Sequence, residues 1–148
     1  MLNQNSEVLR FYEPDKPYGC LSNLSAHPII LDGHTWPTSE HYYQSRKFTE
    51  PEEQLIIRNL EDPIEAWRMT RRMAEKVRPD WDSVKEVFMK KALWAKTIQH
   101  EEVLQTLLST GDLYLVEDAA DDPYWGVGED GKGQNRLGIL WMEVRKMI

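Results

Sequence analysis

The chain has 148 residues, 41% hydrophobic and 29% charged, with a formal net charge of −7. That length suits one domain with a real core, and the charge excludes a global electrostatic attraction to nucleic acid or an anionic membrane. No run approaches the roughly 20 apolar residues of a membrane span, the start MLNQNSEVLRF lacks the basic-then-apolar order of a signal peptide, and the single Cys20 rules out an internal disulfide. A cytoplasmic protein is expected.

Leu9-Arg10-Phe11-Tyr12 reads as a short strand, and a turn-rich stretch from Glu13 to Gly19 follows with Pro14 and Pro17. His27 to Leu31 reads as a second strand closed by the Asp32-Gly33 turn signal. Helices then dominate. Pro37-Thr38-Ser39 opens one through Phe48, and Thr49-Glu50-Pro51-Glu52 has capping-box spacing for the next, with Leu55, Ile56 and Leu60 as its apolar face. Asp62-Pro63-Ile64-Glu65 combines a cap, a first-position proline and an acidic first turn. Asp80 or Asp82 is expected to cap a long helix through Lys96, whose Val84, Val87, Phe88, Lys91 and Trp94 recur at helical spacing. A helix over about 101–110 stops at Gly111, Leu113 to Val116 reads as a strand, and Asn135 caps a final helix to about Lys146. The sum is α+β: a predominantly helical single domain over 1–148 with a few short strands.

Two stretches carry chemistry. From Asp121 to Asn135 the chain packs carboxylates, Tyr124, Trp125 and four glycines between a strand-like and a helix-like segment. Such a loop is entropically expensive to order, which points to ligand binding or to a turn region with Trp125 lying over the core. Gly126-Val127-Gly128-Glu129-Asp130-Gly131 spells G-x-G-x-x-G, but without the preceding strand and the acidic residue some twenty positions on it is no dinucleotide fingerprint. These glycines, Gly126 and Gly128 among them, are instead expected to form an anion nest before the helix at Asn135.

The second stretch is the helix SEHYYQSRKF. Glu40, Tyr43, Gln44 and Lys47 fall at i, i+3, i+4 and i+7 and share one face. A polar stripe on a helix whose other residues are covered suits a carboxyl or amine with a shifted pKa. Arg68, Arg71, Arg72, Lys76 and Arg78, and again Lys85, Lys90, Lys91 and Lys96, form basic clusters, read as solvated helix faces with Arg71 and Arg72 as candidate phosphate ligands. His27, His34, His41 and His100 lack metal-ligand spacing, and no nucleophile elbow is present.

Taken together, Gly19 to Ser25, Trp36-Pro37-Thr38-Ser39 running into EHYYQ-x-x-KF, Trp81, Leu107 to Gly111, Leu115-Val116-Glu117, Asp122 with Trp125-Gly126-Val127-Gly128, Gly133-Gln134-Asn135, Leu137-Gly138 and Val144-Arg145 resemble the NADAR (YbiA-like) family. The resemblance runs in order over nearly the whole chain, and its most specific parts are the EHYYQ-x-x-KF helix and the D-x-x-WG-x-G loop. This chain has Leu24 where the family often has Phe, a conservative departure.

The resemblance implies an N-glycosidase acting on a ribosyl C1′–N bond. Its substrate would be ADP-ribosylated guanine, as nucleotide or nucleic acid, or a phosphoribosyl intermediate of riboflavin synthesis. A non-catalytic ADP-ribose or NAD-binding module is the alternative. No cofactor, metal or membrane partner is implied. Glu40 and Asp122 would supply a carboxyl pair, one stabilising oxocarbenium-like charge and one assisting the leaving nitrogen. Lys47 would be a further catalytic candidate, attacking C1′ to form an imine. Trp81, Trp125, Tyr43, Gln44, Asn23, Gly126, Gly128 and Asn135 would contact the substrate.

Overall fold

A computed structural model describes residues 7–148, so the expectation about a leader falls partly on residues outside the described ones. The elements are β1 (Val8–Phe11), β2 (Ile29–Leu31), β3 (His34–Trp36), α1 (Ser39–Ser45), α2 (Pro51–Arg58), α3 (Pro63–Arg72), α4 (Trp81–Gln99), α5 (Glu101–Ser109), β4 (Tyr114–Glu117) and α6 (Arg136–Lys146), with 3-10 turns at Gly19–Leu21 and Ala74–Lys76. Helices with a few short strands match the expected class. The chain divides into two compact units, the segment up to Ser22 with Glu101–Ile148, and Asn23–His100. No helix among the described residues is long and apolar enough to cross a membrane.

In the first unit β1 and β4 pair in parallel, Val8 opposite Tyr114 and Phe11 opposite Glu117. α6 buries Leu137, Gly138, Leu140, Trp141 and Val144, a spacing that keeps them on one helical face. The buried Trp141 needs a partner for its one polar atom, and its Nε1–H donates to Leu21 O at 2.9 Å. Arg145 closes the far end, donating to Thr110 Oγ1 at 2.7 Å and Leu113 O at 3.0 Å.

In the second unit β2 and β3 form an antiparallel hairpin that pairs Ile29 with Trp36 and Leu31 with His34. β3 was not expected from the sequence, where Asp32-Gly33 closed a lone strand. Asp32 (φ 53°) and Gly33 (φ 81°) are both left-handed, as a two-residue type I′ hairpin demands. Tyr42 Oη–H, Lys91 Nζ and Arg46 Nη1 donate to the Asp32 carboxylate at 2.7, 2.5 and 3.3 Å. Burial pushes that carboxyl up, yet the lysine and tyrosine hydrogen bonds hold it below the usual range. The hairpin turn is thereby tied to α1 and α4.

Helix starts follow the sequence better than helix faces do. Asp62 caps α3 as expected, its side chain accepting from Ile64 N. α2 differs, because Thr49 is not its cap and its buried residue is Ile57, while Leu55 and Ile56 are exposed. Ile57 joins Phe48 and Ala66 in a core cluster, with Leu60 packed against it. α4 differs likewise. Asp80 stands at its N-cap without a side-chain cap bond, because its carboxylate accepts from Arg78. The helix buries Met89, Ala92, Leu93, Ala95, Lys96 and Thr97, and leaves Val87 and Lys91 exposed. Lys96, read as part of a solvated face, is 0% exposed.

Candidate functional site

The position of Glu40 is set by how α1 begins. Thr38 is extended and its side chain accepts from His41 N at 3.1 Å, satisfying an amide that the first helical turn cannot. His41 is buried, and burial lowers its pKa, so the ring is neutral at pH 7. Its Nε2–H donates to Leu60 O at 2.7 Å, which leaves Nδ1 to accept from the Thr38 hydroxyl at 2.8 Å. Asn23 holds the same turn. Its carbonyl accepts from Glu40 N at 3.2 Å, its Oδ1 from Ser39 Oγ at 3.0 Å, and its Nδ2 donates to Met89 Sδ at 3.3 Å. Asn23, predicted as a substrate contact, therefore fixes the backbone of Glu40.

The stripe forms over Glu40, Tyr43 and Gln44, but α1 ends at Ser45 rather than Phe48, so Lys47 lies in the turn beyond the helix, its N–H donating to Gln44 O at 3.2 Å. Gln44 Nε2 donates to Glu40 Oε1 at 2.6 Å, and Thr70 on α3 donates from its hydroxyl to Gln44 Oε1 at 2.9 Å. Tyr43 packs its ring 5.1 Å from that of Trp81, which in turn stacks at 6.2 Å on Phe88. Lys47 Nζ lies 6.0 Å from the Trp81 ring centroid, in the range of a cation–π contact. Half-buried Lys47 has its pKa lowered by burial; Glu40 pulls it back up, while Arg71 and Lys85 push it further down.

Glu40, Tyr43, Gln44, Lys47 and Trp81, all singled out from the sequence, thus meet in the unit Asn23–His100. Thr70 and Phe88 were not predicted as part of this cluster. Thr70 gave no signal, since an alcohol inside a helix within reach of its own i−3 carbonyl, Trp67 O at 2.9 Å, looks ordinary. Of the predicted phosphate ligands, Arg71 lies near Lys47, with its guanidinium 4.6 Å over the Trp67 ring. Both Arg71 and Arg72 are exposed in the last turn of α3.

The glycine-rich loop belongs to the other unit and is built differently from expectation. No anion nest forms, because its amides donate to protein carbonyls. Gly126 N donates to Asp122 O, Gly128 N to Ala119 O, Gly133 N to Val127 O, Asn135 N to Gly126 O, Arg136 N to Tyr124 O and Leu137 N to Trp125 O, at 2.6–3.1 Å. The N-terminus of α6 is thereby capped by the loop itself. Gly126 is required for close approach, since a Cβ there would lie 2.8 Å from Ala119 Cβ and 2.9 Å from Glu117 O.

Asp122 Oδ1 accepts from Tyr124 N at 3.0 Å and Trp125 N at 2.9 Å, an Asx turn that sets the two aromatic residues. Their rings pack edge to face at 5.0 Å. Asn135 stands at the N-cap of α6 but is left-handed (φ 50°) and makes no side-chain cap bond. Instead its Oδ1 accepts from Glu117 N at 2.9 Å and its Nδ2 donates to Leu115 O at 2.8 Å, stitching the loop to β4. Among the described residues no group of three His, Cys, Asp or Glu side chains could hold a metal ion.

A short-stranded helical fold carrying the EHYYQ helix and the D-x-x-WG-x-G loop defines a class: residues 10–148 match the NADAR domain, and the chain belongs to that family. It is similar to N-glycosidase YbiA of Escherichia coli (strain K12), at 47% identity over 141 residues that cover 95% of this chain and 88% of that protein. The NMR structure of the E. coli protein YbiA superposes with a TM-score of 0.89 at 46% identity, covering 98% of this chain and 86% of the other. A riboflavin biosynthesis protein of Vibrio vulnificus is 37% identical over 146 residues, 99% of this chain but 40% of its own.

Proposed function

We propose that this protein is an N-glycosidase that hydrolyses a ribosyl C1′–N bond, with Glu40 as the carboxylate at C1′. The observation that carries the reading is the Glu40 setting. Its carboxylate accepts from an oriented amide at 2.6 Å, beside a lysine whose charge is disfavoured by burial and an aromatic wall of Tyr43 and Trp81. Breaking the bond leaves positive, oxocarbenium-like charge on the sugar, and a fixed carboxylate stabilises that charge more than it stabilises the neutral substrate. Water adds to C1′, and the nitrogen departs with a proton. The ring of Trp81, backed by Tyr43, offers stacking surface for a nucleobase.

Three cations, Lys47, Arg71 and Lys85, share this neighbourhood in a chain whose net charge is −7. A local positive patch on an acidic protein suits a small phosphate-bearing substrate better than a long nucleic acid. ADP-ribosylated guanine and the phosphoribosyl intermediates of riboflavin synthesis both fit that description, and a cytoplasmic site of action fits both. We take ADP-ribosylated guanine as the first substrate to test.

A second route is favoured by the lowered Lys47 pKa. On a ring-opened ribosyl amine the neutral Lys47 amine adds to C1′ and expels the base amine, leaving an imine that water hydrolyses to return free lysine and the sugar aldehyde. The direct test incubates the protein with ADP-ribosylated guanosine and, separately, with the phosphoribosyl intermediates, following release of the free base. Binding without turnover of any of them refutes the enzyme reading and leaves an ADP-ribose-binding module.

A further inference from the structure

The Glu40 carboxyl is reached by a relay that begins at a side chain from another helix. Thr70 and Gln44 are both 2% exposed, so neither can turn to water for a hydrogen bond. An ionised carboxylate only accepts, and a primary amide has one donating and one accepting end. The amide must therefore give its nitrogen to Glu40, at 2.6 Å, and its oxygen to a donor. Thr70 Oγ1 is that donor, at 2.9 Å from Gln44 Oε1; its single proton goes there rather than to Trp67 O, also at 2.9 Å, because that carbonyl already accepts a helical amide. Without Thr70 the buried amide oxygen would lose this donor, and turning the amide over would place oxygen against oxygen at Glu40.

We propose that Thr70 is a positioning residue for Glu40: its buried hydroxyl locks the Gln44 amide with the nitrogen toward the carboxylate, and so holds Glu40 in its ionised form. The inference rests on the reading of Glu40 as the reacting carboxylate. Charged groups near the site include Lys47 in the turn after α1, Arg71 on α3 and Lys85 on α4, and Thr70→Val removes none of them. A donor lost to a carboxylate raises its pKa.

The test is a titration of the full chain labelled with 13C at glutamate side-chain carboxyls, with the Glu40 signal assigned by its loss in Glu40→Gln. Thr70→Val, close to isosteric, should move the Glu40 midpoint upward by about half to one pH unit, and Thr70→Ser should return it to the wild-type value. Thr70→Ala is read in the same way if the valine variant does not fold. An unmoved midpoint in the valine or alanine variant overturns the proposal, as does a serine variant displaced as far as valine, since only the hydroxyl separates them. The titration needs no substrate. Failure of the catalytic reading shows separately, as full turnover by Glu40→Gln.

Discussion

Lys47 Nζ sits 6.0 Å from the centroid of the Trp81 ring, in the turn that follows α1. Burial is the foremost cause of its lowered pKa, and the Trp81 ring is the aromatic surface nearest its amine. Trp81→Ala should hydrate Lys47 and return its pKa toward the ordinary lysine value, read by 15N NMR of the side-chain amine. On the imine route kcat/KM should fall about 10–100-fold. An unchanged Lys47 titration would show that Trp81 does not cover it.

The same burial makes a stability prediction with a definite sign. The folded protein holds the Lys47 proton less tightly than the unfolded chain does, so this group's contribution to stability is fully present above the unfolded lysine pKa. It is lost as pH falls through the lowered native value. The buried amine's charge is therefore a penalty, and Lys47→Met should raise Tm by about 2–4 °C, with the gain shrinking as pH climbs toward 10. Thermal melts at several pH values check this, and a gain independent of pH would contradict it. Activity should be lost in the same variant.

Trapping separates the two chemical routes. With turnover under way, borohydride should reduce an imine at Lys47 to a stable adduct carrying the sugar, found by mass spectrometry on the peptide that contains Lys47. Lys47→Arg should give none. Turnover without any adduct would assign the reaction to direct attack by water.

The glycine-rich loop makes a structural prediction. A Cβ on Gly138 would lie 2.1 Å from Leu115 O and 2.6 Å from both polar atoms of the Asn135 side chain. Gly138→Ala should therefore cost about 3 kcal/mol. Asn135→Ala, which strands a strand amide and a strand carbonyl, should cost about 2–4 kcal/mol, and Asp122→Ala about 1–2 kcal/mol through its Asx turn. Denaturant melts measure all three. Near-neutral values for Asp122 and Asn135 would return them to the site role that the sequence suggested.

That loop marks the boundary of what the sequence discloses. The α1 stripe was legible because helical spacing alone puts Glu40, Tyr43 and Gln44 on one face, while the end of the helix at Ser45, ahead of Lys47, was not. The loop misled because glycine content reports only that the backbone is free to come close to something. Here it comes close to its own carbonyls and to β4, and the amides that composition offered to a phosphate are already hydrogen-bonded. α4 misled for a related reason. Val87 and Lys91 fit a helical period as well as the true buried row of Met89, Ala92, Leu93 and Lys96, and hydropathy gives no warning of a lysine with no exposed surface. β3 was missed because three residues ending against Pro37 are too few to display alternation.

The most direct test of the central claim is the turnover of ADP-ribosylated guanosine by the wild-type chain and by Glu40→Gln, with binding of ADP-ribose measured alongside. The account predicts release of free guanine-containing product by the wild type. In the variant the rate should fall by about 10²–10⁴-fold with ADP-ribose binding preserved. Wild-type turnover retained in Glu40→Gln would contradict it.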